Sequence, residues 1–127
     1  MEIGIKGFAE TLVCAENTAA AVGSGALEVF STPSMIALME KAAMDTVSPY
    51  LEAGQGTVGI KLDVSHLAAS PIGMAVRAEA ELIGIEKRTL TFKVSAYAGE
   101  ELIGEGTHQR AVILNERFME KTLAKLK

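Results

Sequence analysis

The sequence predicts an α+β fold in which an antiparallel sheet of about five strands wraps around one long, apolar helix. The first observation is an apolar run from Pro33 to Met44, which is typical of a helix that is buried on most sides. Its only polar side chains are Ser34, Glu40 and Lys41. The second is a change of the hydrophobic period from about 3.6 to 2 after this run, which indicates half-buried strands.

The predicted central helix has clear start and stop signals. Thr32 is the predicted N-cap, because its hydroxyl directly precedes Pro33 and proline is favoured at the first helical position. Pro49 and Gly54 break the helix at its other end. About sixteen residues, at about 1.5 Å each, give a helix of about 24 Å.

Strands are predicted on both sides of this helix in the sequence. Residues 8–15 form a short first strand, and residues 17–31, rich in small side chains, form a mobile loop with one helical turn. Alternating apolar residues from Val58 to the segment LIGEGTHQRAVIL predict four more strands joined by short turns. Strands joined in this way are antiparallel neighbours, and their wrapping around one helix is known as the hotdog fold. Residues from about 115 to 127 have a helical pattern.

Composition limits the class of protein. The chain has 127 residues, 49% of them hydrophobic, which suits a single domain over residues 1–127 with a real core. A net charge of −4 and the lack of a basic run give no support for nucleic-acid binding. The lone Cys14 is typical of a reducing compartment. With no signal-peptide pattern and no membrane-spanning apolar run, we expect a cytoplasmic protein.

Glu40 and His66 are the candidates for acid–base chemistry. Glu40 lies in the middle of the apolar helix, where an unpaired charge is costly. Counting by two from Val58 places His66 on the apolar side of its strand, so we expect the carboxylate and the imidazole to approach each other. Such a pair either satisfies itself structurally or serves as a tuned acid–base pair, and the sequence leaves both possibilities open.

Thr32 raises a question of distance. It precedes Glu40 by eight residues, about 12 Å along a helix, which is too far for direct contact. Cooperation between them would need the substrate, a bent first turn or a partner subunit. The two histidines and one cysteine match no metal-ligand spacing, and the sequence has no G-x-S-x-G motif, so neither a metal site nor a serine triad is expected.

Four short motifs have a distinctive spacing: VFST, LME, VSH and GTHQRAVI. In this order and spacing they resemble the hotdog thioesterases related to fluoroacetyl-CoA thioesterase. The resemblance implies that Thr32, Glu40 and His66 form a catalytic set. It also implies that Gly59 and Arg110 line or support the substrate site. Strict strand alternation, however, puts Gly59 on the face opposite His66 unless a β-bulge intervenes.

The resemblance implies hydrolysis of a short or small acyl-CoA thioester by a homodimer with sites near the subunit interface. CoA would be part of the substrate, with no further cofactor. One alternative is a hotdog acyl-CoA dehydratase or hydratase, which would also use a carboxylate and a histidine. Another is a non-catalytic acyl-CoA-binding dimer, which would not need Glu40. Small residues before Thr32 replace the bulky side chains of the fluoroacetyl-specific member, so we expect broad activity on short acyl-CoAs.

Overall fold

The computed structural model describes residues 1–126 and has one five-stranded antiparallel sheet with a long helix against one face. The strand order is β1-β3-β4-β5-β2. The strands are β1 Lys6–Leu12, β2 Gln55–His66, β3 Ala75–Glu86, β4 Thr89–Ala98 and β5 Glu101–Leu114. The helices are α1 Ala19–Val22, α2 Thr32–Val47 and α3 Asn115–Leu123. This architecture confirms the predicted α+β hotdog fold.

The start of α2 differs from the prediction by one residue. Ser31 is the N-cap: its backbone is extended and its hydroxyl accepts a hydrogen bond from the Ser34 backbone N–H at 3.1 Å. Thr32 is therefore the first helical residue, and Pro33 follows it. Serine and threonine both cap helices well, so the sequence alone did not distinguish them. The consequence is that the Thr32 hydroxyl is not used as a cap.

The hydrophobic core lies between α2 and the inner face of the sheet. Alternate residues of the central strands are buried, and α2 contributes a broad apolar face. The helix packs mainly over β1 and β3, where the small side chains of Ala78 and Ala80 allow close approach. Its contact with β2 and β5 is less extensive. Glu40 lies on the side of α2 that faces these two strands, where it contacts Arg110 of β5.

A β-bulge interrupts β2. In the pairing of β2 with β5, Gly59 lies opposite Arg110 and Lys61 lies opposite Gln109, so Ile60 is an extra residue. An extra residue reverses the face on which the following side chains lie, because strand side chains alternate with a period of two. The bulge therefore decides which residues of β2 share a face.

The bulge corrects the predicted alternation of β2. Val58 was expected to share a face with Leu62 and His66, but it precedes the bulge and lies on the other side. Gly59 instead shares a face with His66. Gly59 lies opposite Arg110 and His66 lies opposite Gly104, and these two β5 residues are on the same face of the sheet because they are an even number of residues apart. The β-bulge that Gly59 needs in order to share a face with His66 is therefore present.

Two features of the fold lie at its margins. Strand β2 has twelve residues and forms an edge of the sheet, with β5 as its neighbour. Within the predicted loop, α1 is the expected single helical turn, and residues 20–28 are exposed. Among residues 1–126, no helix is both long enough and apolar enough to cross a membrane.

Candidate active site

Thr32 and His66 meet at the N-terminal end of α2. The Thr32 Oγ1 atom lies 2.7 Å from His66 Nδ1. This contact is available because Ser31 caps the helix and because the β2 bulge turns His66 toward the helix. The structure thus brings together two of the three residues that the resemblance implies to be catalytic.

The environment of His66 favours a neutral ring. Burial lowers the pKa of His66 below its ordinary value of 6.5, and the Ala68 backbone acts in the opposite direction. The Nε2 atom is buried and makes no hydrogen bond to the described residues. A neutral ring carries a hydrogen on only one nitrogen, so Nδ1 either accepts from the Thr32 hydroxyl or donates to its oxygen.

Glu40 lies two helical turns beyond Thr32 and forms an ion pair with Arg110. Its Oε2 atom is 3.3 Å from Arg110 Nη1. The side chain of Glu40 is 38% exposed, whereas that of Arg110 is 6% exposed. The glutamate in the apolar helix is therefore not an isolated buried charge, because it lies at the rim of the core beside a buried cation.

Arg110 is held rigidly from several sides. Its Nε donates to Thr57 Oγ1 at 2.8 Å, and its Nη2 donates to the Thr57 carbonyl oxygen at 3.1 Å. Its Nη1 reaches both Glu40 and the Nε2 atom of His108, the latter at 3.1 Å. A guanidinium has five N–H donors in a fixed fork, so these contacts determine its orientation. Arg110 can therefore hold the Glu40 carboxylate in one position.

The histidine nearest the Glu40 carboxylate is His108, and not His66 as predicted. Glu40 Oε2 is 3.9 Å from Nε2 of His108, which is fully buried on β5. Within residues 1–126, Glu40 makes neither a hydrogen bond nor an ion pair with His66. The reason is position along α2, since His66 lies at the helix mouth and Glu40 lies two turns away.

His108 and Thr57 are the site residues that sequence reasoning missed. His108 was part of the closing motif GTHQRAVI, but no role was assigned to it. A usable signal was present, because His108 and Arg110 are two residues apart on one strand and so share a face. Thr57 gave no comparable signal, since its contact with Arg110 depends on the pairing of β2 with β5.

Gly59 lies directly against the Glu40 carboxylate. A Cβ atom at this position would collide with Glu40 Oε2, and would lie 3.2 Å from His108 Cε1 and 3.4 Å from Arg110 Nη1. The absence of a side chain therefore makes room for the carboxylate beside the strand. Gly59 and Arg110 therefore lie against the Glu40 carboxylate from two sides.

The candidate site has two parts, each of which includes one residue of α2. One is the Thr32–His66 pair at the helix N-terminus, and the other is the Glu40 carboxylate braced by Arg110. The helix dipole places partial positive charge near Thr32, where developing negative charge is favoured. A hydroxyl donor, an imidazole and a positioned carboxylate suit acid–base chemistry at a carbonyl group. The described residues contain no cluster of three or more His, Cys, Asp or Glu side chains that could hold a metal ion.

Residues 13–116 match the sequence family described as fluoroacetyl-CoA-specific thioesterase. The fluoroacetyl-CoA thioesterase of Streptantibioticus cattleyicolor is 47% identical over 98 residues, which cover 77% of this chain and 70% of that protein. The family match includes Thr32, Glu40, Gly59, His66 and Arg110.

Solved structures of fluoroacetyl-CoA thioesterase have the same fold. One has a TM-score of 0.92 and 38% identity, covering 98% of this chain and 97% of its own. A variant in complex with fluoroacetate and CoA has a TM-score of 0.87 and 40% identity, with coverage of 93% and 99%. A thioesterase superfamily member from Thermus thermophilus has a TM-score of 0.88 and 28% identity, with coverage of 98% and 92%.

The contact between Gly59 and Glu40 predicts an energetic coupling that can be measured without an activity assay. In the wild-type background, Gly59→Ala should push the carboxylate away from Arg110 and lower the free energy of unfolding. In a Glu40→Ala background this cost should be smaller, with a coupling energy of about 1 kcal/mol or more for residues in contact. Denaturant unfolding of the four proteins in this double-mutant cycle measures it.

Gly84→Ala is the matched control, because Gly84 is also in a strand and a Cβ there would meet Thr91 Cβ at an ordinary 3.4 Å. Its effect on unfolding should be the same with and without Glu40. Additive effects of Gly59→Ala and Glu40→Ala would show that the glycine does not make room for the carboxylate.

Proposed function

The chain belongs to the family of fluoroacetyl-CoA-specific thioesterases, and on that premise we propose how its own residues hydrolyse a short acyl-CoA thioester. Hydrolysis of a small acyl-CoA thioester to the free acid and CoA is its activity, supported by the family match and by the relatives of the same name. This match favours hydrolysis over the hydration or dehydration of acyl-CoA and over binding without catalysis. The observation that carries the residue roles is the Glu40 carboxylate, braced through one oxygen only.

Glu40 is the group that we propose acts at the acyl carbon. Its Oε2 atom is held by Arg110, whereas Oε1 makes no hydrogen bond to the described residues and is free to react. Oε1 either removes a proton from the attacking water or adds to the carbonyl carbon itself. In the first route, the water oxygen forms the new C–O bond, the C–S bond breaks, and the proton taken by Glu40 passes to the CoA sulfur. In the second route, the C–S bond breaks as the acyl group transfers to Oε1, and water then hydrolyses this anhydride, giving one proton to the CoA thiolate and restoring the carboxylate.

The Thr32–His66 pair is the proposed site for the thioester carbonyl oxygen. We propose that neutral His66 carries its hydrogen on Nδ1, so that it donates to the threonine oxygen and leaves the hydroxyl hydrogen available for the substrate. Negative charge develops on the carbonyl oxygen during attack, and the N-terminal end of α2 stabilises it there. Thr32 is exposed, which suits a group that contacts substrate.

We propose that a homodimer completes the site. Within one protomer, Thr32 and Glu40 are about 12 Å apart along α2, so one thioester would have to bridge them. The long edge strand β2 leaves main-chain groups for pairing with the β2 of a second copy. The exposed part of Glu40 lies on the side of α2 that faces β2 and β5, so two-fold pairing brings it toward the partner's Thr32–His66 pair.

We also propose broad use of short acyl-CoAs and a cytoplasmic location. Residues 20–28, which precede the Thr32 end of α2, are exposed and include Ala20, Ala21, Gly23 and Gly25. Such small side chains leave space over the acyl group. The single cysteine supports a reducing compartment. The chemistry needs neither a metal ion nor a cofactor other than the CoA of the substrate.

The central test is the substitution Glu40→Gln, assayed by thiol release from acetyl-CoA. We expect kcat to fall by about 10²–10⁴, because the amide neither accepts the water proton nor attacks the carbonyl. Asp45→Asn is the control, since Asp45 is another carboxylate of α2 and pairs with Lys41 at 3.0 Å. A folded Glu40→Gln protein with wild-type kcat would exclude the proposed role.

Mixed dimers test whether two subunits share one site. Copies with Glu40→Gln and copies with His66→Ala carry different tags and are co-purified as heterodimers. If Glu40 of one subunit works with His66 of the other, one of the two sites keeps both groups, and about half of the wild-type activity returns. Activity as low as that of the parent variants would show that each site uses Glu40 and His66 of one chain. A monomeric mass by light scattering would contradict the dimer itself.

Substrate breadth is tested by kcat/KM for fluoroacetyl-, acetyl-, butyryl- and phenylacetyl-CoA. An apolar pocket discriminates by only about 1–3 kcal/mol per methylene, so we expect modest differences across this series. In particular, fluoroacetyl-CoA should have no large advantage over acetyl-CoA. A fluoroacetyl preference of about a thousandfold or more, equivalent to about 4 kcal/mol, would show that the small-residue segment does not set the specificity.

A further inference from the structure

His108 is a fully buried histidine that the proposed reaction does not use directly. It lies on β5 and stacks on Phe92 of β4, with ring centroids 6.2 Å apart and planes at 29°. Both ring nitrogens have partners in the described chain. Nδ1 is 2.8 Å from the Lys61 carbonyl oxygen, and Nε2 is 3.1 Å from Arg110 Nη1. These two contacts determine the tautomer and the protonation state of the His108 ring.

The partners of His108 select one neutral tautomer. A carbonyl oxygen only accepts hydrogen bonds, so Nδ1 must carry the hydrogen that points to Lys61. A guanidinium only donates, so Nε2 must present its lone pair to Arg110. Burial lowers the pKa of His108 below 6.5, the Lys61 carbonyl opposes this, the Arg110 charge lowers the pKa further and Glu40 raises it. The pKa direction therefore agrees with the neutral ring that the geometry requires.

The Lys61 carbonyl connects His108 to the β2 bulge. Lys61 directly follows the extra residue Ile60, and Gly59 precedes it. The same irregularity therefore places the glycine that accommodates the Glu40 carboxylate and the carbonyl that orients the His108 ring. One local feature of β2 thus fixes two of the groups that surround Glu40.

We propose that His108 is a positioning residue, which acts on Glu40 through Arg110. By accepting a hydrogen bond from Nη1, the neutral ring fixes the guanidinium fork, and the fork holds Glu40 Oε2 so that Oε1 faces the substrate. Protonation of Nε2 would place its N–H against the Nη1 N–H of Arg110. The hydrogen bond between them would be lost, and the guanidinium would no longer be fixed. The inference rests on the proposed role of Glu40 in hydrolysis.

The charged groups facing His108 are few. Glu40 approaches from α2 and Arg110 lies beside it on β5. Strand β2 contributes the Lys61 backbone carbonyl, and β4 contributes the Phe92 ring. Since Arg110 already pairs with Glu40, a second positive charge at His108 would add repulsion beside a guanidinium. The acid side of the pH–activity profile should therefore include a contribution from His108.

The experiment compares His108→Phe, which keeps a ring but has no acceptor, with His108→Gln, which keeps a donor and an acceptor. Buried partners that orient a reactive ligand typically contribute about 10–100-fold. We expect kcat of His108→Phe to fall by about this factor with KM nearly unchanged, and His108→Gln to recover most of the loss. Val94→Ala, a buried change on β4 away from these polar contacts, is the control for general destabilisation.

Two further readouts separate positioning from a merely structural role. His108→Gln should lose activity less steeply than the wild type on the acid side of the pH profile, because glutamine does not titrate. In a Glu40→Gln background, His108→Phe should cause little additional loss of kcat, since the two residues act in one unit. This pH readout remains available even if the phenylalanine variant fails to fold.

The outcomes distinguish this inference from the proposed function. If Glu40→Gln is inactive but folded His108→Phe keeps the wild-type kcat, the positioning role is overturned while the role of Glu40 stands. An acid limb that is unchanged in His108→Gln overturns it as well. If Glu40→Gln itself keeps the wild-type kcat, the proposed function fails first, whatever the histidine variants do.

Discussion

The Glu40–Arg110 ion pair is the contact on which the rest of the site depends. A cation that is 6% exposed needs compensation from its surroundings, and a carboxylate on an otherwise apolar helix needs a partner. Each residue supplies what the other lacks, and Thr57 and His108 accept three further hydrogen bonds from the guanidinium. The result is a carboxylate with one oxygen paired with Arg110 and the other without a hydrogen bond to the described residues.

The β-bulge in β2 is the backbone feature that makes this pair possible. Without the extra residue Ile60, the alternation of the strand would put Gly59 and His66 on opposite faces. With it, the glycine lies under the Glu40 carboxylate and the histidine turns toward Thr32. Bulges re-aim side chains at the cost of one ladder position, and here a single one serves both parts of the site.

At the start of α2, two neighbouring residues have different hydrogen-bond partners. Ser31 satisfies the backbone N–H of Ser34, so the helix is capped without Thr32. The threonine hydroxyl is thereby released for His66, at the end of the helix where the dipole favours negative charge. The two neighbouring hydroxyls at this helix terminus therefore have different partners: Ser31 caps the helix and Thr32 contacts His66.

The sequence by itself determined the elements of the fold. The apolar run of α2 and the alternating strands are local patterns, because one turn of helix or two residues of strand suffice to show which face is buried. The resemblance carried by the four motifs also gave Thr32, Glu40, Gly59, His66 and Arg110 as candidates. The patterns that predict the helix and the strands depend only on residues close together in the chain.

Only the tertiary structure decided which candidates touch. It replaced His66 by His108 as the histidine nearest Glu40, and Thr32 by Ser31 as the cap. The first outcome depends on the pairing of β2 with β5, which brings together residues some fifty positions apart. The second depends on the hydrogen bond from the Ser34 backbone N–H to the Ser31 hydroxyl. An extra residue in a strand leaves no local mark in composition or period, so its effect on every following side chain is visible only when the partner strand is in place.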